Sequence, residues 1–293
     1  GGILGLRPDL QSRQNPVFTK SRIPGCPDPK RAPHAPTPGR SQRAHLDAGR
    51  AGLPRSASSK PNPMNRKKIV VLSGAGISAE SGIRTFRDAD GLWEGHDVME
   101  VAAPQGWLRN PALVLDFYNQ RRRQLLEVSP NPAHHGLAGL QQDHEVRIIT
   151  QNVDDLHERA GSQNVLHLHG ELLKVRSTRD PSLIMEWRQD LNEGDLCPLG
   201  SQLRPHIVWF GEDVPLLEQA ALICSRADVL VIIGTSLQVY PAAGLMAYAP
   251  PGIPVYYIDK KPAVNHELSR LSNLRVWAES ASEGVDKLIR GLA

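Results

Sequence analysis

Short apolar runs separated by polar stretches recur along the chain and predict the strands of a buried sheet. They cover residues 69–72, 145–150, 228–233 and 254–259, and they are rich in valine, isoleucine and leucine. Such short runs, without strict alternation of apolar and polar positions, are typical of parallel strands that are buried on both faces.

Helical patterns occupy several of the intervening segments. Pro104 and Pro111 predict helix starts within residues 98–128, and residues 131–142 and the carboxyl-terminal segment are also predicted helices. Residues 172–203 are polar and give no regular pattern. The order of elements predicts an α/β fold, a Rossmann-like parallel sheet with helices on both faces, plus a smaller inserted lobe.

A glycine-rich turn follows the first apolar run directly. Residues 74–79 read G-A-G-I-S-A, which fits G-x-G-x-x-A at a strand-to-helix turn. In this motif Gly74 permits the turn, Gly76 lets a pyrophosphate approach the backbone, and Ala79 allows close packing of the helix on the strand. The expected helix would offer its first N–H groups to phosphates. A tight turn that binds no ligand remains an alternative.

The stretch after this turn departs from an ordinary dinucleotide-binding fold. Residues 81–93 contain Arg84, Phe86, Arg87, two aspartates and Trp93, and they predict a functional loop. A common dehydrogenase would instead continue into a second strand that ends in an acidic residue. Hydride transfer is therefore disfavoured.

Polar residues follow the predicted strands at their carboxyl ends, where ligands bind in open α/β sheets. The groups are Gln151, Asn152 and Asp154, then residues 234–236, and then Asp259, which would suit a ribose hydroxyl. One residue of the first group can simply cap the next helix.

Two histidines, His167 and His169, lie two residues apart on a predicted short strand. The pattern allows three interpretations: a metal-binding pair, a buried structural histidine, or a general base beside the cofactor. His169 precedes a glycine at the end of the strand and is the better placed of the two to act as the base.

Tyr118 and Arg121 stand three residues apart in a predicted helix, so both can face one cavity. Arg121 also begins a run of three arginines, and the spacing alone favours an ordinary solvated helix face.

Composition divides the chain in two. Residues 1–63 contain eleven of the 24 prolines and no methionine, and they show no apolar periodicity. We expect them to be a disordered or artefactual extension, with a catalytic domain over residues 64–293. Three cysteines do not make a disulfide framework, and no segment has the length of a membrane span. These features predict a cytoplasmic protein.

Several separated motifs together closely resemble the sirtuins, a family of NAD-dependent protein deacylases, over residues 67–293. They are GAGIS at 74–78, GIRTFR at 82–87, TQNVD at 150–154, HG at 169–170, VWFGE at 208–212 and GTS at 234–236. By this resemblance the large Rossmann lobe covers about 66–92, 140–171 and 204–293, and the small lobe covers about 93–139 and 172–203.

The resemblance also implies roles for individual residues. The general base is His169, with Asn152 and Asp154 as further catalytic residues. The implied NAD contacts are Gly74, Ala75, Gly76, Ser78, Phe86, Arg87, Trp93, Gln151, Asn152, Val153, Asp154, Gly234, Thr235, Ser236, Asp259 and Ala281. The family usually has asparagine near the position of Asp259. The acyl-lysine peptide would add as a strand along Val208, Phe210 and Gly211.

NAD is then consumed as a co-substrate. The implied products are nicotinamide, free lysine and O-acyl-ADP-ribose, with His169 drawing a proton through the ribose hydroxyls.

One departure concerns zinc. Family members commonly carry two CxxC pairs after the catalytic histidine, but here residues 177–180 read STRD and the second pair keeps only Cys197. Structural zinc takes four ligands. We expect no zinc, with a remnant of the zinc-binding module held by apolar contacts of Leu183, Ile184 and Trp187.

A second feature concerns the acyl group. Within the family, tyrosine and arginine three residues apart, with an upstream alanine, mark the class that removes acidic acyl groups. Ala102, Tyr118 and Arg121 occupy these positions. A succinyl or malonyl carboxylate would pair with Arg121, and Tyr118 would donate a second hydrogen bond.

The leading hypothesis is therefore a zinc-free deacylase that acts on succinyl- or malonyl-lysine and retains some deacetylase activity. Mono-ADP-ribosyl transfer and a non-catalytic module that binds NAD or ADP-ribose are the alternatives. The expected partners are acyl-lysine proteins or peptides. We expect a monomer with no specific nucleic acid or membrane partner.

Overall fold

The computed structural model describes residues 66–84, 92–264, 266–271 and 273–292, which belong to one compact unit. The predicted extension at 1–63 and the predicted contacts Phe86 and Arg87 lie outside these residues.

A six-stranded parallel sheet forms the centre of the described part. Its strands are β1 (Lys68–Ser73), β4 (Glu145–Thr150), β5 (Val165–His167), β9 (Val229–Ile233), β10 (Val255–Ile258) and β11 (Leu274–Trp277). Their order across the sheet is β11-β10-β9-β1-β4-β5. The four predicted apolar runs are strands of this sheet. Chain order reverses on the two sides of β1, which opens a crevice beside its carboxyl end.

Helices cover the sheet and the smaller lobe. They are α1 (Val98–Val101), α2 (Pro104–Arg109), α3 (Pro111–Glu127), α4 (Pro132–Gly139), α5 (Leu156–Arg159), α6 (Leu217–Cys224), α7 (His266–Ser269) and α8 (Ala281–Leu292). As predicted, Pro104 and Pro111 are the first residues of helices. Asn110 caps α3 by accepting a hydrogen bond from the N–H of Leu113.

Two separate apolar clusters hold the two faces of the sheet. One contains Leu72 and Ile232, and the other contains Ile69 and Val231 from the same two strands, because successive side chains point to opposite faces. The second cluster also takes in Ala133 of α4. The sequence-based division placed α4 in the small lobe, but it packs with the sheet.

The segment after β1 differs from the prediction. Instead of a regular helix, two short 3₁₀ turns follow, at Ala75–Ile77 and Ala79–Ser81. The second ends at Gly82, whose positive φ of 94° terminates the turn.

A second correction concerns residues 172–203, which the sequence shows as irregular. There β6 (Gly170–Ser177) pairs antiparallel with β7 (Ile184–Glu186) and with β8 (Leu203–Ile207). The partner strand β8 comes from a distant segment, so local pattern alone could not reveal the pairing. The sequence-based boundaries had placed β8 in the large lobe. A short hairpin, β2 (Leu92–Trp93) with β3 (His96–Asp97), precedes α1.

The prediction of which apolar residues hold the small lobe is partly confirmed. Leu183 and Trp187 pack against a cluster that contains Leu191 and Leu203. Ile184 is 44% exposed, and Met185 packs against the cluster instead. Alternation along a strand places neighbouring side chains on opposite sides.

Within the part of the chain that the structure describes, no helix is long and apolar enough to cross a membrane.

Candidate active site

One cavity lies at the carboxyl edge of the sheet and extends to α3 and to the segment after β8. It brings together most residues that the sequence singled out. The predicted residues lining it are Gly74, Ala75, Gly76, Trp93, Ala102, Tyr118, Arg121, Gln151, Asn152, Val153, Asp154, His169, Val208, Phe210, Gly211, Gly234, Thr235 and Ser236.

Three predicted contacts are placed elsewhere. Ser78 is fully buried behind the cavity wall. Asp259 follows β10, where it accepts a hydrogen bond from the N–H of Lys261 at 2.7 Å, and Ala281 begins α8. Neither Asp259 nor Ala281 lines the cavity. Their contacts with the adenosine side stay predictions.

The glycine turn is packed against the end of β9. The N–H of Gly74 donates to the carbonyl of Ile233 at 3.0 Å, and that of Gly76 donates to the carbonyl of Gly234 at 2.8 Å. A β-carbon on Gly76 would lie 2.6 Å from the Gly234 Cα. The close approach of Gly234 at the end of β9 thus requires glycine at position 76. The N–H of Gly76 is already bonded to Gly234 and is not free to bind a phosphate.

A buried polar network lies under the cavity floor. Ser78 Oγ donates to Asp154 Oδ2 at 2.9 Å, and Asn152 Nδ2 donates to Ser78 Oγ at 3.1 Å. The N–H of Leu156 donates to the other oxygen of Asp154. Burial raises the pKa of Asp154 to about 6, against the effect of these hydrogen bonds. Ser78 therefore acts by holding Asp154 and Asn152 in place.

The two histidines have different surroundings. His169 lines the cavity, and its Nδ1 lies 3.1 Å from the carbonyl oxygen of Gln151. Because a carbonyl only accepts, Nδ1 carries the proton and Nε2 is left with a lone pair. Burial lowers the pKa of His169, which keeps the ring neutral near pH 7.

His167 has both ring nitrogens occupied, by the carbonyl of Asn152 at 3.0 Å and by Glu158 at 2.7 Å. Burial by itself lowers its pKa, but the hydrogen bond and charge of Glu158 outweigh burial and raise it. Both ring nitrogens of His167 are therefore occupied, and His169 as the general base stays a prediction.

Tyr118 is held by Trp209 of the VWFGE motif, a contact that the sequence does not reveal. Trp209 Nε1 donates to Tyr118 Oη at 3.0 Å, and both side chains are buried. The guanidinium of Arg204 lies 3.3 Å from the centre of the Trp209 ring and pairs with Glu212 at 2.7 Å. Since Tyr118 Oη already accepts one hydrogen bond, its own proton is left to donate. Burial raises the pKa of Tyr118, so this proton is retained.

Arg121 points at the cavity and is only partly satisfied. Its Nη1 donates to the carbonyl of Phe117 at 2.7 Å, and its Nη2 lies 3.8 Å from Glu94. Among the described residues its buried Nε has no hydrogen-bond partner. Burial lowers the pKa of Arg121, although the charge of Glu94 opposes this effect. The expectation from spacing alone, a solvated arginine, is wrong for this residue.

The segment after β8 borders the cavity. The N–H of Val208 donates to the carbonyl of His169, and the N–H of Phe210 donates to the carbonyl of Ala102, both at 2.9 Å. Gly211 has a positive φ of 89°. These bonds fix the predicted peptide-binding segment relative to His169 and to α1.

The residues at the position of the family's zinc site do not fit that metal. Cys197 Sγ lies 3.3 Å from Ser177 Oγ and 3.2 Å from Ser201 Oγ, and the two hydroxyls are 2.9 Å apart. This set offers one thiol and two hydroxyls in place of four thiolates. Throughout the described ranges, no group of three or more His, Cys, Asp or Glu residues could hold a metal ion.

Comparison with known proteins gives the family. A model of the Sir2 family matches residues 74–241. An NAD-dependent protein deacylase of Helicobacter pylori is 62% identical over 223 residues, which cover 76% of this chain and 96% of the relative.

Solved structures agree. A complex of a Sir2 homologue with NAD has 39% identity and a TM-score of 0.68, and the match covers 77% of this chain and 89% of that chain. A Sir2 structure bound to acetylated peptide has 26% identity and a TM-score of 0.61, with coverage of 78% and 94%.

The matched sequence and fold therefore define a Rossmann-like NAD enzyme. The chain belongs to the Sir2 family, which confirms the family, the fold class and the enzyme class expected from the motifs.

Proposed function

We propose that this chain removes acyl groups from lysine side chains of proteins, consumes NAD in doing so, and prefers succinyl- and malonyl-lysine to acetyl-lysine. The observation that supports the acyl preference most is Arg121, whose buried Nε has no partner among the described residues and whose side chain lines the same cavity as His169.

The residues around the cavity have separable tasks in this proposal. NAD, when bound, would supply the ribose carbon, whose bond to nicotinamide breaks as the acyl oxygen bonds to it. His169 takes up a proton at Nε2, which the hydrogen bond at Nδ1 leaves available. Asn152 and Asp154 orient the ribose and nicotinamide side, and their positions are fixed by Ser78.

The acyl end is recognised by charge and by a single hydroxyl. Arg121 can offer Nε and one further N–H as a fork to a carboxylate, the geometry in which arginine binds carboxylates most strongly. Tyr118 donates its hydroxyl proton to the acyl group, because its oxygen already accepts the hydrogen bond from Trp209 Nε1. An acetyl group offers no carboxylate to either residue.

The test compares removal of succinyl, malonyl and acetyl groups from one lysine peptide by the wild type and by Arg121→Met. We expect kcat/KM for succinyl and malonyl peptides to fall about tenfold or more, the value of a charge-assisted hydrogen bond. The rate for the acetyl peptide should be spared.

Arg123→Met is the matched control, because Arg123 lies on the same helix with a side chain that is 57% exposed and pairs with Asp190. This control should leave all three rates unchanged. Equal wild-type rates for the three acyl groups would reject the preference but keep the deacylase. No turnover of any acyl peptide would favour the transferase or the non-catalytic module.

A further inference from the structure

The hairpin between β2 and β3 contains a glutamate in an unusual conformation. Glu94 and Gly95 form its two-residue turn, with Trp93 paired to His96 across it. Both turn residues have positive φ, 53° at Glu94 and 81° at Gly95. Such turns favour asparagine, aspartate or glycine at the first position, because a larger side chain is strained there. The turn itself therefore gives no reason for a glutamate.

The side chain of Glu94 reaches into the cavity. Its carboxylate lies 3.8 Å from Arg121 Nη2 and 3.2 Å from Arg84 Nη1, and only 14% of the side chain is exposed. The hairpin is held against α3, since the Trp93 ring packs on the ring of Phe117 at 4.9 Å between centroids. Glu94 thus presents a fixed negative charge beside the arginine that would bind an acidic acyl group.

This arrangement has a consequence for the charge of the pocket. Arg121 already donates Nη1 to a backbone carbonyl, and its Nη2 lies 3.8 Å from the carboxylate of Glu94. An incoming carboxylate must share Arg121 with Glu94 or displace it. A neutral acyl group meets an Arg121 whose charge is partly offset by Glu94, a carboxylate that Arg121 shares with Arg84.

We propose that Glu94 is a specificity-determining residue that competes with the acyl carboxylate for Arg121 and so keeps the pocket open to neutral acyl groups. This inference rests on the proposed function of Arg121. Strained backbone conformations of this kind cluster at ligand-binding sites, in agreement with a glutamate at this turn.

The test is Glu94→Gln, assayed with succinyl and acetyl forms of one lysine peptide. We expect the ratio of kcat/KM for succinyl over acetyl to rise about tenfold, the order expected for one charge pair in a partly buried site. The change should come mainly from a lower KM for the succinyl peptide. Because NAD and the peptide are the same in both assays, effects on folding or on NAD cancel in the ratio.

Glu100→Gln is the matched control, since Glu100 is an exposed glutamate on neighbouring α1 that does not line the cavity. It removes the same charge and should leave the ratio unchanged. Glu94→Asn is a second variant that relieves the turn and removes the charge. It should raise the ratio as Glu94→Gln does and should not lower the melting temperature.

An unchanged ratio in Glu94→Gln, or an equal rise in Glu100→Gln, would overturn the inference. The result for Arg121→Met separates this failure from failure of the proposed function. If Arg121→Met loses succinyl selectivity and Glu94→Gln leaves the ratio unchanged, only the role of Glu94 is rejected.

Discussion

Side chains that are neighbours in sequence have very different surroundings in this protein. Arg121 faces the cavity, Arg122 is 1% exposed and donates to the carbonyl of Leu172, and Arg123 is exposed. Each step along a helix turns the side chain by roughly a quarter of a circle or more, so three consecutive arginines cannot share one environment. The position of α3 relative to the sheet decides which of the three is available to a ligand.

His169 gives a prediction at this scale. Burial lowers its pKa below the ordinary value of a histidine, since the protonated ring is disfavoured away from water. The neutral base therefore predominates at pH 7 and is lost as the pH falls through the lowered pKa. We expect NMR titration of the ring C–H signal to give a midpoint below about 6.5.

His169→Ala identifies this signal among those of the eleven histidines by its absence. The same variant should still bind NAD but lose deacylation. A midpoint at or above about 6.5 would contradict the burial argument, and surviving deacylation would reject His169 as the base.

The elements that build the site were foreseeable to different degrees. Parallel strands such as β1 and β9 are visible in the sequence because burial on both faces makes them continuously apolar. The turn after β1 was expected to lead into a helix. It instead forms 3₁₀ turns whose Gly76 N–H bonds to Gly234, a residue more than 150 positions away. Contacts of that kind leave no local signal.

Gly76→Ala tests the packing of this turn. A β-carbon there would meet the backbone of Gly234 at 2.6 Å, and a strand end cannot move away as a flexible side chain can. We expect a loss of about 2 kcal/mol in the free energy of unfolding, measured by chemical denaturation, together with weaker NAD binding by calorimetry.

Gly139→Ala is the control for this substitution. Gly139 has a helical φ of −61°, and a β-carbon added there would meet nothing within 4 Å. That variant should be neutral or more stable by up to about 1 kcal/mol. If both substitutions had the same effect, the close approach of Gly76 and Gly234 would not be what limits this position.

On the scale of the whole molecule, the candidate active-site cavity depends on two sheets that are stabilised differently. The parallel sheet has an apolar cluster on each face. The small three-stranded sheet packs on one side in a cluster around Val175, Leu191 and Leu203, and Leu172 and Ile207 join it to a cluster shared with α3. Most of the residues that the motifs assign to NAD lie together at this cavity, because they follow the strands directly, and their contacts with NAD stay predictions. Trp209 and Glu94 contact Tyr118 and Arg121 of α3 from distant or irregular segments, so these contacts could not be derived from spacing.

The small sheet provides the last prediction, the absence of structural zinc. Where the family commonly places thiolates, hydrogen bonds join the side chains of Ser177, Cys197 and Ser201. A chelator should therefore not destabilise this lobe. We expect elemental analysis of the purified protein to find far less than one zinc per chain, and a strong chelator to leave the melting temperature and the deacylation rate unchanged. Ser177→Ala, which breaks two of these hydrogen bonds, should by contrast cost about 1 kcal/mol or more of stability. Stoichiometric zinc, or unfolding on chelation, would mean that other side chains supply the missing ligands and that the hydrogen-bonded cluster does not replace the metal.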